Sequence, residues 1–532
     1  MKKRILAAML VFALCFAAAG CKEGGETSSE SGEKLTYWVA LPSQLTGSGI
    51  TFNDLPMYKE YNKRTGIEVE FIHPPVGQEA EKFNLMIASG NLPDIVEYDW
   101  SKYSGGLTKA VDDGVIIPLD DFIEDSAPNL YKIVSEHPDY KKAATTKDGK
   151  YYGFPKMNLT GDVTATSGGL FLRKDWLDKV GMDVPTNVAE WTEVLRAFKN
   201  ELGVKNPLSL YATQLKGDTG NFNSEFEVGL EYFVKNGKVA YGPMESGYKD
   251  MIATFASWYE EGLLDREFAV TTKDTILSQV QTGETGAFWG YIGNGAGGIL
   301  AAMEKTNPEF ELVGAPYPKK DQSTTESYIG RVNVVAAPYA CITKNCDDPQ
   351  KAAKWIDYCY GREGSLLYNR GIEGETYTMV DGIPTDTDLI INNPDGLDAF
   401  AARARYHRGY SSDISARFAY GTPEQQAEIK LNGLKASYPF QCQIDAYYTF
   451  NKNSENRSKT LLPALEYSGD VVDEVANIKF EVDTYKDENI VRFITGDRPM
   501  SEWNDFVKEL KELRVEELLK YMQESYDEYS NK

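Results

Sequence analysis

Histidine and cysteine are scarce in this sequence. Its 532 residues include three widely separated histidines: His73, His137 and His407. No two of the six cysteines form a C-x-x-C pair. Because imidazole and thiolate groups at short spacing are the usual zinc ligands, no metal site of this kind is predicted. A disulfide and buried thiols both stay open for the four cysteines that follow residue 21: Cys341, Cys346, Cys359 and Cys442.

Positive charge is also in short supply. Lysine and arginine number 56 against 80 aspartate and glutamate residues, which gives a formal net charge of -24 at pH 7. A chain of this charge repels the phosphates of nucleic acid and the surface of anionic membranes. The sequence therefore predicts no nucleic-acid partner.

Long apolar runs are missing after the first 20 residues, so no later segment is predicted to cross a bilayer. Residues 2–4 are basic and residues 5–20 form an apolar run that is short for a membrane span, a pattern typical of an export signal. The run ends in A-A-G-C, which resembles the lipobox of bacterial lipoproteins and implies that Cys21 carries a lipid. Ordinary secretory cleavage is the alternative. Residues 21–33 are rich in Gly, Ser and Glu, which predicts a flexible tether.

Strand-like and helix-like patterns alternate from residue 35 onwards. LTYWVALP and IEVEFIH are strand-like, and helices are predicted over residues 54–65 and 80–89. A further helix is predicted over residues 349–368, and most of the last 60 residues are amphipathic. This alternation predicts an α/β fold with a helical C-terminal region.

Several motifs, taken in order along the chain, resemble a known family. They are NLMIASGNLPDIV, GVIIPLDDFI, DGKYYGFP, LFLRKDWLDKVGMDVPTNVAEWTEVLRAFK, NRGIEGETY and FITGDRPMSEWNDFVKEL. Together with A-A-G-C they resemble the extracellular solute-binding proteins of bacterial ABC importers, in the branch of oligosaccharide-binding lipoproteins similar to maltose-binding protein.

This resemblance implies the fold of periplasmic binding proteins, in which two α/β lobes are joined by strands that cross between them. A ligand lies in the cleft, and the lobes close on it about a hinge. The crossings are expected near residues 154–160 and 331–337. The predicted organisation is a signal peptide at 1–20, a tether at 21–33, an N-lobe at 34–157 and 331–385, and a C-lobe at 158–330 and 386–532.

The stretch TGETGAFWGYIGNGAGGIL contains G-x-G-x-x-G at Gly293, Gly295 and Gly298. A dinucleotide-binding unit needs an acidic residue about 20 positions further on, and Glu311 comes too early. No cofactor is therefore predicted. The glycines are interpreted instead as a tight turn past the end of a strand, which leaves amide N–H groups free for ligand oxygens.

Trp289 and Tyr291 directly precede these glycines and are predicted to lie on one face of a strand. An indole can cover the apolar face of a sugar ring, and the amide of Asn294, within the turn, can bind sugar hydroxyl groups. We therefore predict that these three residues contact the ligand. The alternative is that the two aromatic residues belong to the core.

Other binding candidates follow predicted strand ends, where ligands of α/β lobes usually lie: Trp38, Ser43, Glu97, Asp99 and Trp100. Glu373 and Tyr377 match a family loop that can approach the ligand, although a helix-ending turn would explain the same residues. Arg173 and Asp175 are interpreted as a structural pair between a strand and a helix.

The resemblance implies a monomeric receptor on the extracellular face of a Gram-positive-type membrane that delivers an oligosaccharide to an ABC permease and does no chemistry. One alternative is a secreted glycoside hydrolase or lyase, because two carboxylates suffice for glycosidic cleavage. However, no pair stands out among the 80 acidic residues. A receptor for peptides or other solutes on the same scaffold is a further alternative.

Overall fold

The computed structural model describes residues 34–146, 149–160, 165–216, 221–229, 231–321, 328, 335–408, 414–452, 459–463, 465, 467 and 471–531. The predicted signal peptide, the tether and Cys21 lie outside these residues. Within the described part of the chain, no helix combines the length and the apolar character that a bilayer span requires.

The strands are β1 Leu35–Val39, β2 Val69–Ile72, β3 Ile95–Tyr98, β4 Phe154–Leu159, β5 Gly168–Arg173, β6 Asn206–Ser209, β7 Tyr232–Lys235, β8 Lys238–Tyr241, β9 Thr285–Tyr291, β10 Leu312–Gly314, β11 Val335–Ile342, β12 Tyr377–Val380, β13 Ile383–Asp386 and β14 Ser415–Phe418.

The α-helices are α1 Pro56–Thr65, α2 Glu79–Ser89, α3 Gly106–Asp112, α4 Ile123–Ser126, α5 Pro128–Glu136, α6 Pro138–Ala144, α7 Lys174–Val180, α8 Val188–Asn200, α9 Ala212–Lys216, α10 Ser246–Glu260, α11 Lys273–Gln281, α12 Gly298–Met303, α13 Pro349–Asp357, α14 Arg362–Arg370, α15 Asp388–Ile391, α16 Ala399–Tyr406, α17 Pro423–Ser437, α18 Gln441–Asn451, α19 Val471–Thr495, α20 Trp503–Glu512 and α21 Val515–Asn531.

The first sheet has six strands in the order β14-β4-β11-β3-β1-β2. β1 pairs in parallel with β2 and β3, as the alternation of strands and helices predicts. Helix α1 ends at Gly66, whose φ of +69° suits a residue without a side chain. An aromatic core that includes Tyr37, Tyr61 and Trp355 fills one side of this sheet.

The second sheet has four strands in the order β10-β5-β9-β6. One face packs on α8, α10 and the C-terminal helices α19 to α21, through residues such as Trp191, Phe255 and Phe506. The opposite face packs on α11, α12 and α18. The predicted helical C-terminal region is therefore part of the core that covers this sheet.

The chain passes from the first sheet to the second between β4 and β5, close to the predicted first crossing at residues 154–160. It returns between the end of β10 at Gly314 and the start of β11 at Val335. Part of the predicted return crossing, residues 331–334, lies outside the described residues.

One predicted boundary is wrong. β14 pairs in parallel with β4 in the first sheet, and Ala404 and Ala416 belong to the core of that sheet, although residues 386–532 were predicted to lie in the C-lobe. A strand of four residues carries little periodicity, and its partner lies far earlier in the chain. The other lobe boundaries remain predictions.

The helix predicted over residues 349–368 is interrupted. α13 ends at Asp357, a short 3-10 turn follows, and α14 begins after Gly361. The carboxylate of Asp357 accepts hydrogen bonds from the backbone N–H groups of Asn129 (3.1 Å) and Leu130 (2.8 Å) at the start of α5. Asp357, at the interruption, thus caps the start of α5. The local sequence pattern does not reveal this contact, because α5 lies far earlier in the chain.

Candidate functional site

The segments of chain that pass between the two sheets join one edge of each sheet. In the first sheet β1, β3, β4 and β14 run in the same direction and therefore end at the same edge, where β11 begins. In the second sheet β5 begins at the edge where β6, β9 and β10 end. Because the passage from β4 to β5 connects these two edges, they define the candidate site.

Trp289 and Tyr291 lie at the end of β9, on the edge of the second sheet. Their rings meet edge to face with centroids 4.9 Å apart, and Lys273 Nζ lies 5.6 Å from the centroid of the Tyr291 ring. Tyr291 is 44% exposed, whereas Trp289 is partly buried against the second-sheet core. The shared face of the two residues is thus as predicted.

The indole of Trp289 rests across the neighbouring strand β5. A Cβ atom placed on Gly168 would come within 2.7 Å of Trp289 Cζ2, so only glycine leaves room for the ring here. Leu170 is the residue directly opposite Trp289 in the strand register. The Nε1 atom of Trp289 is buried and meets no acceptor among the described residues. The indole therefore combines a partly exposed surface with an unused hydrogen-bond donor.

The glycine-rich segment forms one wide helical turn, Ile292–Gly297, that continues into α12. The segment is thus wider than the tight turn that was predicted, and Gly297 and Gly298 have ordinary right-handed helical φ values of -63° and -64°. Close packing requires glycine instead: a Cβ on Gly297 would lie 2.5 Å from Gln443 Nε2, which donates to the Ile292 carbonyl at 2.6 Å. Asn294 is exposed within this turn.

Trp38 and Trp100 are core residues, so their predicted ligand contact is wrong. Trp100 is fully buried, its indole N–H donates to the Val96 carbonyl at 3.3 Å, and its ring meets Phe83 edge to face at 5.2 Å. Trp38 is 5% exposed and packs on Phe83 and Tyr98. Helix α2 covers this face of the sheet, and large aromatic residues fill the layer beneath it.

Glu97 is also buried, and both of its carboxylate oxygens are hydrogen-bonded. Its Oε1 accepts a hydrogen bond from Arg408 Nη2 at 2.8 Å, and its Oε2 accepts one from the Tyr37 hydroxyl at 2.7 Å. Both charged side chains are almost completely buried. Burial, together with the negative charge of Glu97, raises the pKa of Tyr37 well above its usual value. The predicted ligand role of Glu97 is therefore wrong, because both oxygens bind groups of the same sheet layer.

Two candidates of the first sheet, Asp99 and Ser43, follow strands that end at the edge leading to the second sheet. Asp99 directly follows β3, is half-buried, and lies 4.0 Å from Lys102 Nζ. Ser43 begins a short 3-10 helix, Ser43–Leu45, after β1, but its side chain lies outside the described part of the structure.

Glu373 lies in the turn between α14 and β12, and Tyr377 is the first residue of β12. α14 ends at Gly371, whose φ is +85°, and the N–H of Gly374 donates to the Tyr377 carbonyl at 2.7 Å. The alternative of a helix-ending turn is thus confirmed. Glu373 is exposed, whereas Tyr377 is 4% exposed, and burial raises the pKa of its hydroxyl to about 12. Buried Tyr377 offers no free surface for a ligand.

Arg173 and Asp175 form the predicted structural pair between β5 and α7. The guanidinium donates to both carboxylate oxygens, at 2.8 Å and 2.6 Å, and both side chains are buried. The arginine also lies over the rings of Trp176 and Phe310. The pair therefore fastens the start of the helix to the sheet.

Two buried amide residues escaped the sequence analysis. Gln214 and Asn221 follow β6 and are each 2% exposed. No local motif marks them, since isolated amide residues after a strand are common.

Among the described residues, no group of three or more histidine, cysteine, aspartate or glutamate side chains is arranged to hold a metal, and Cys341, Cys346, Cys359 and Cys442 form no disulfide.

Comparison with known proteins identifies the class to which this fold belongs. Residues 54–365 match the family model of bacterial extracellular solute-binding proteins. Because this match covers more than half of the chain, the protein belongs to that family.

Several relatives align over much of the chain. It is 24% identical over 499 residues to the fructooligosaccharide ABC transporter substrate-binding protein FusA of Streptococcus pneumoniae, covering 90% of this chain and 87% of FusA. It is 26% identical over 399 residues to lipoprotein LipO of Bacillus subtilis, covering 72% and 74%. It is 27% identical over 314 residues to the polygalacturonan/rhamnogalacturonan-binding protein YtcQ of Bacillus subtilis, covering 55% and 57%.

The solved structure of FusA in complex with kestose has the same fold. It superposes with a TM-score of 0.70 at 22% sequence identity, and the match covers 94% of this chain and all of FusA. The predicted two-lobe solute-binding fold is thus confirmed.

Proposed function

We propose that this protein is a lipid-anchored extracellular receptor that captures an oligosaccharide between its two lobes and delivers it to an ABC permease. Two of its relatives carry carbohydrate names: FusA is a fructooligosaccharide transporter component and YtcQ is a polygalacturonan/rhamnogalacturonan-binding protein. The ligand is released unchanged, so the protein is not an enzyme.

The pair formed by Trp289 and Tyr291 carries the proposal. The two rings lie on one face at the edge where the chain passes between the sheets, and Tyr291 is 44% exposed. Aromatic faces bind the C–H surface of a sugar ring, and the neighbouring Asn294 offers an amide for hydroxyl groups. A cleft between domains is the usual position for a ligand in such a fold.

The anchoring part of the proposal rests on Cys21. A lipid on this cysteine would hold the protein at the membrane, and the tether of residues 21–33 would lift the lobes away from the head groups. The protein would then act as a monomer next to its permease. The lipoprotein name of the relative LipO is consistent with this arrangement.

The proposal is tested by measuring stability and sugar chemistry together. The protein is incubated with kestose, maltotriose, trigalacturonate or a tripeptide, and each sample is divided between denaturant unfolding and chromatography of the small molecules. A sugar at 100 times its dissociation constant should stabilise the protein by about 2.7 kcal/mol and be recovered intact.

Each other outcome has a defined meaning. Cleaved sugar would favour a glycoside hydrolase or lyase. Stabilisation by the peptide alone would favour a receptor for another solute. If no compound stabilises the protein at millimolar concentration, the proposal of an oligosaccharide receptor fails for these sugar classes.

A further inference from the structure

Lys273 is a positively charged side chain that lies against the aromatic pair of the candidate site. It is the first residue of α11, the helix that packs on the second sheet and leads into β9. Its Nζ lies 5.6 Å from the centroid of the Tyr291 ring, and that ring meets the indole of Trp289 edge to face. The ammonium group is thus held at the end of β9, on the edge where the chain passes between the sheets.

The charge of Lys273 is not neutralised by the protein. Among the described residues no carboxylate pairs with it and no acceptor receives a hydrogen bond from it, so the Tyr291 ring is its contact. Lys479 shows the more usual arrangement in the same lobe, because it lies 4.9 Å from the centroid of the Tyr232 ring and also pairs with Asp483. With 80 acidic residues against 56 basic ones, the chain has many groups that are able to serve as a counter-charge.

The position of Lys273 makes an unpaired charge less favourable. The first turn of an α-helix is the positive end of its dipole, where a cation is repelled. Lys273 is also half-buried and has lost part of its hydration. Arg362 starts α14 in a similar way, 4.9 Å from the centroid of the Phe418 ring, but it is exposed and keeps its water. A tyrosine ring offsets only part of the cost at Lys273, so we expect the counter-charge to come from the ligand.

We propose that Lys273 selects oligosaccharides that carry a negative charge, by pairing with an acidic group on the sugar unit that lies against Trp289 and Tyr291. The acidic group is a uronate carboxylate or a sulfate ester, because an ammonium group is a compact point charge that pairs with either. The exposed amide of Asn294 then serves the uncharged hydroxyl groups of the same unit. This inference rests on the proposed oligosaccharide receptor, since it names the charge of the ligand that the same site takes.

The overall charge of the protein is compatible with an anionic ligand. The formal net charge of -24 is distributed over the whole chain. At physiological ionic strength, salt screens exposed charges that are more than about 8 Å apart, whereas a pair in contact is screened much less. A single cation at the point of contact therefore outweighs more distant carboxylates, and its removal should be felt mainly by a charged ligand.

The test compares charged sugars with neutral counterparts of the same shape. Trigalacturonate is paired with its full methyl ester, and a sulfated galactotriose is paired with galactotriose. Calorimetric titration should show that the wild type binds one of the charged sugars more tightly than its neutral counterpart. Lys273→Met keeps most of the aliphatic chain and should bind that charged sugar roughly five- to thirtyfold more weakly, the effect of one lost charged hydrogen bond. Its affinity for the neutral counterpart should be unchanged.

Two further variants separate charge at the site from other effects. Lys273→Arg keeps the charge and should keep the preference for the charged sugar. Arg266→Met is the matched control, because Arg266 lies 4.5 Å from the centroid of the Tyr259 ring in the same lobe and its loss changes the net charge equally. The control should bind all four sugars as the wild type does. The unfolding midpoint without sugar should stay the same or rise in Lys273→Met.

The remaining outcomes are equally decisive. A preference for trigalacturonate would identify a carboxylate as the partner, and a preference for the sulfated sugar would identify a sulfate. Equal losses for charged and neutral sugars in Lys273→Met, or equal losses in Lys273→Met and Arg266→Met, would overturn the inference. An unchanged preference in Lys273→Met would also overturn it, because another group would then read the charge. If the wild type binds kestose or maltotriose and neither charged sugar, the receptor function stands and the inference fails. If no sugar binds, the proposed function fails as well.

Discussion

Trp289→Ala separates the two roles that the indole of Trp289 combines. If the indole supports a sugar ring, the substitution should weaken binding by about 2 kcal/mol or more, which is about 30-fold in affinity. The side chain is only partly buried against the second-sheet core. We therefore expect a stability loss of about 1–3 kcal/mol, below the 3–5 kcal/mol typical of a fully buried aromatic residue.

Calorimetric titration and denaturant unfolding on the same samples measure both effects. Leu170→Ala is the matched control, because Leu170 lies opposite Trp289 in the strand register and is fully buried. It should cost about 2–5 kcal/mol of stability and leave the affinity of the folded protein unchanged. Normal affinity of Trp289→Ala, combined with a stability loss as large as that of the control, would refute the sugar-platform role.

Three further predictions concern other parts of the chain. Glu97→Gln leaves the buried guanidinium of Arg408 without its counter-charge, so the free energy of unfolding should fall by about 3–5 kcal/mol. Reduced affinity for the sugar at normal stability would instead restore Glu97 as a ligand contact. Burial lowers the pKa of His407 to about 3, so unfolding takes up a proton between pH 6.5 and about 4. As the pH is lowered through this range, the stability of the wild type should fall relative to that of His407→Gln by up to about 1.4 kcal/mol per pH unit, and parallel pH curves would contradict this. Cys21→Ala removes the proposed lipid site and should release the protein from membranes in fractionation, whereas salt-resistant membrane binding of the variant would disprove the anchor.

The architecture was largely predictable because it depends on local patterns. Alternating strands and helices predict the parallel pairing of β1, β2 and β3, and Gly66 ends α1 where the pattern stops. The placement of β14 was not predictable, because it depends on pairing with a strand remote in sequence. The break before α14 escaped prediction because it serves a contact with α5.

The candidate site was harder to predict because residue type does not distinguish a binding surface from a core. Trp100 follows β3 and Trp289 lies near the end of β9. Helix α2 covers Trp100, whereas Trp289 stays partly exposed. Glu97 looks like a hydroxyl acceptor until Arg408, distant in sequence, pairs with it. Gln214 and Asn221 stand out only through unpaired atoms, which are a property of the folded structure.

Hydrogen exchange measured by mass spectrometry tests the central claim most directly, because it reports both sheet edges in one experiment. A bound sugar that lies between the lobes should slow backbone exchange around residues 289–298 and also around residues 99–103, while the buried strand at 168–173 changes little. Both regions should respond at the same sugar concentration and be restored when the sugar is removed. Protection confined to one of these edges, or protection only at surfaces away from both, would contradict a ligand held between the two sheets.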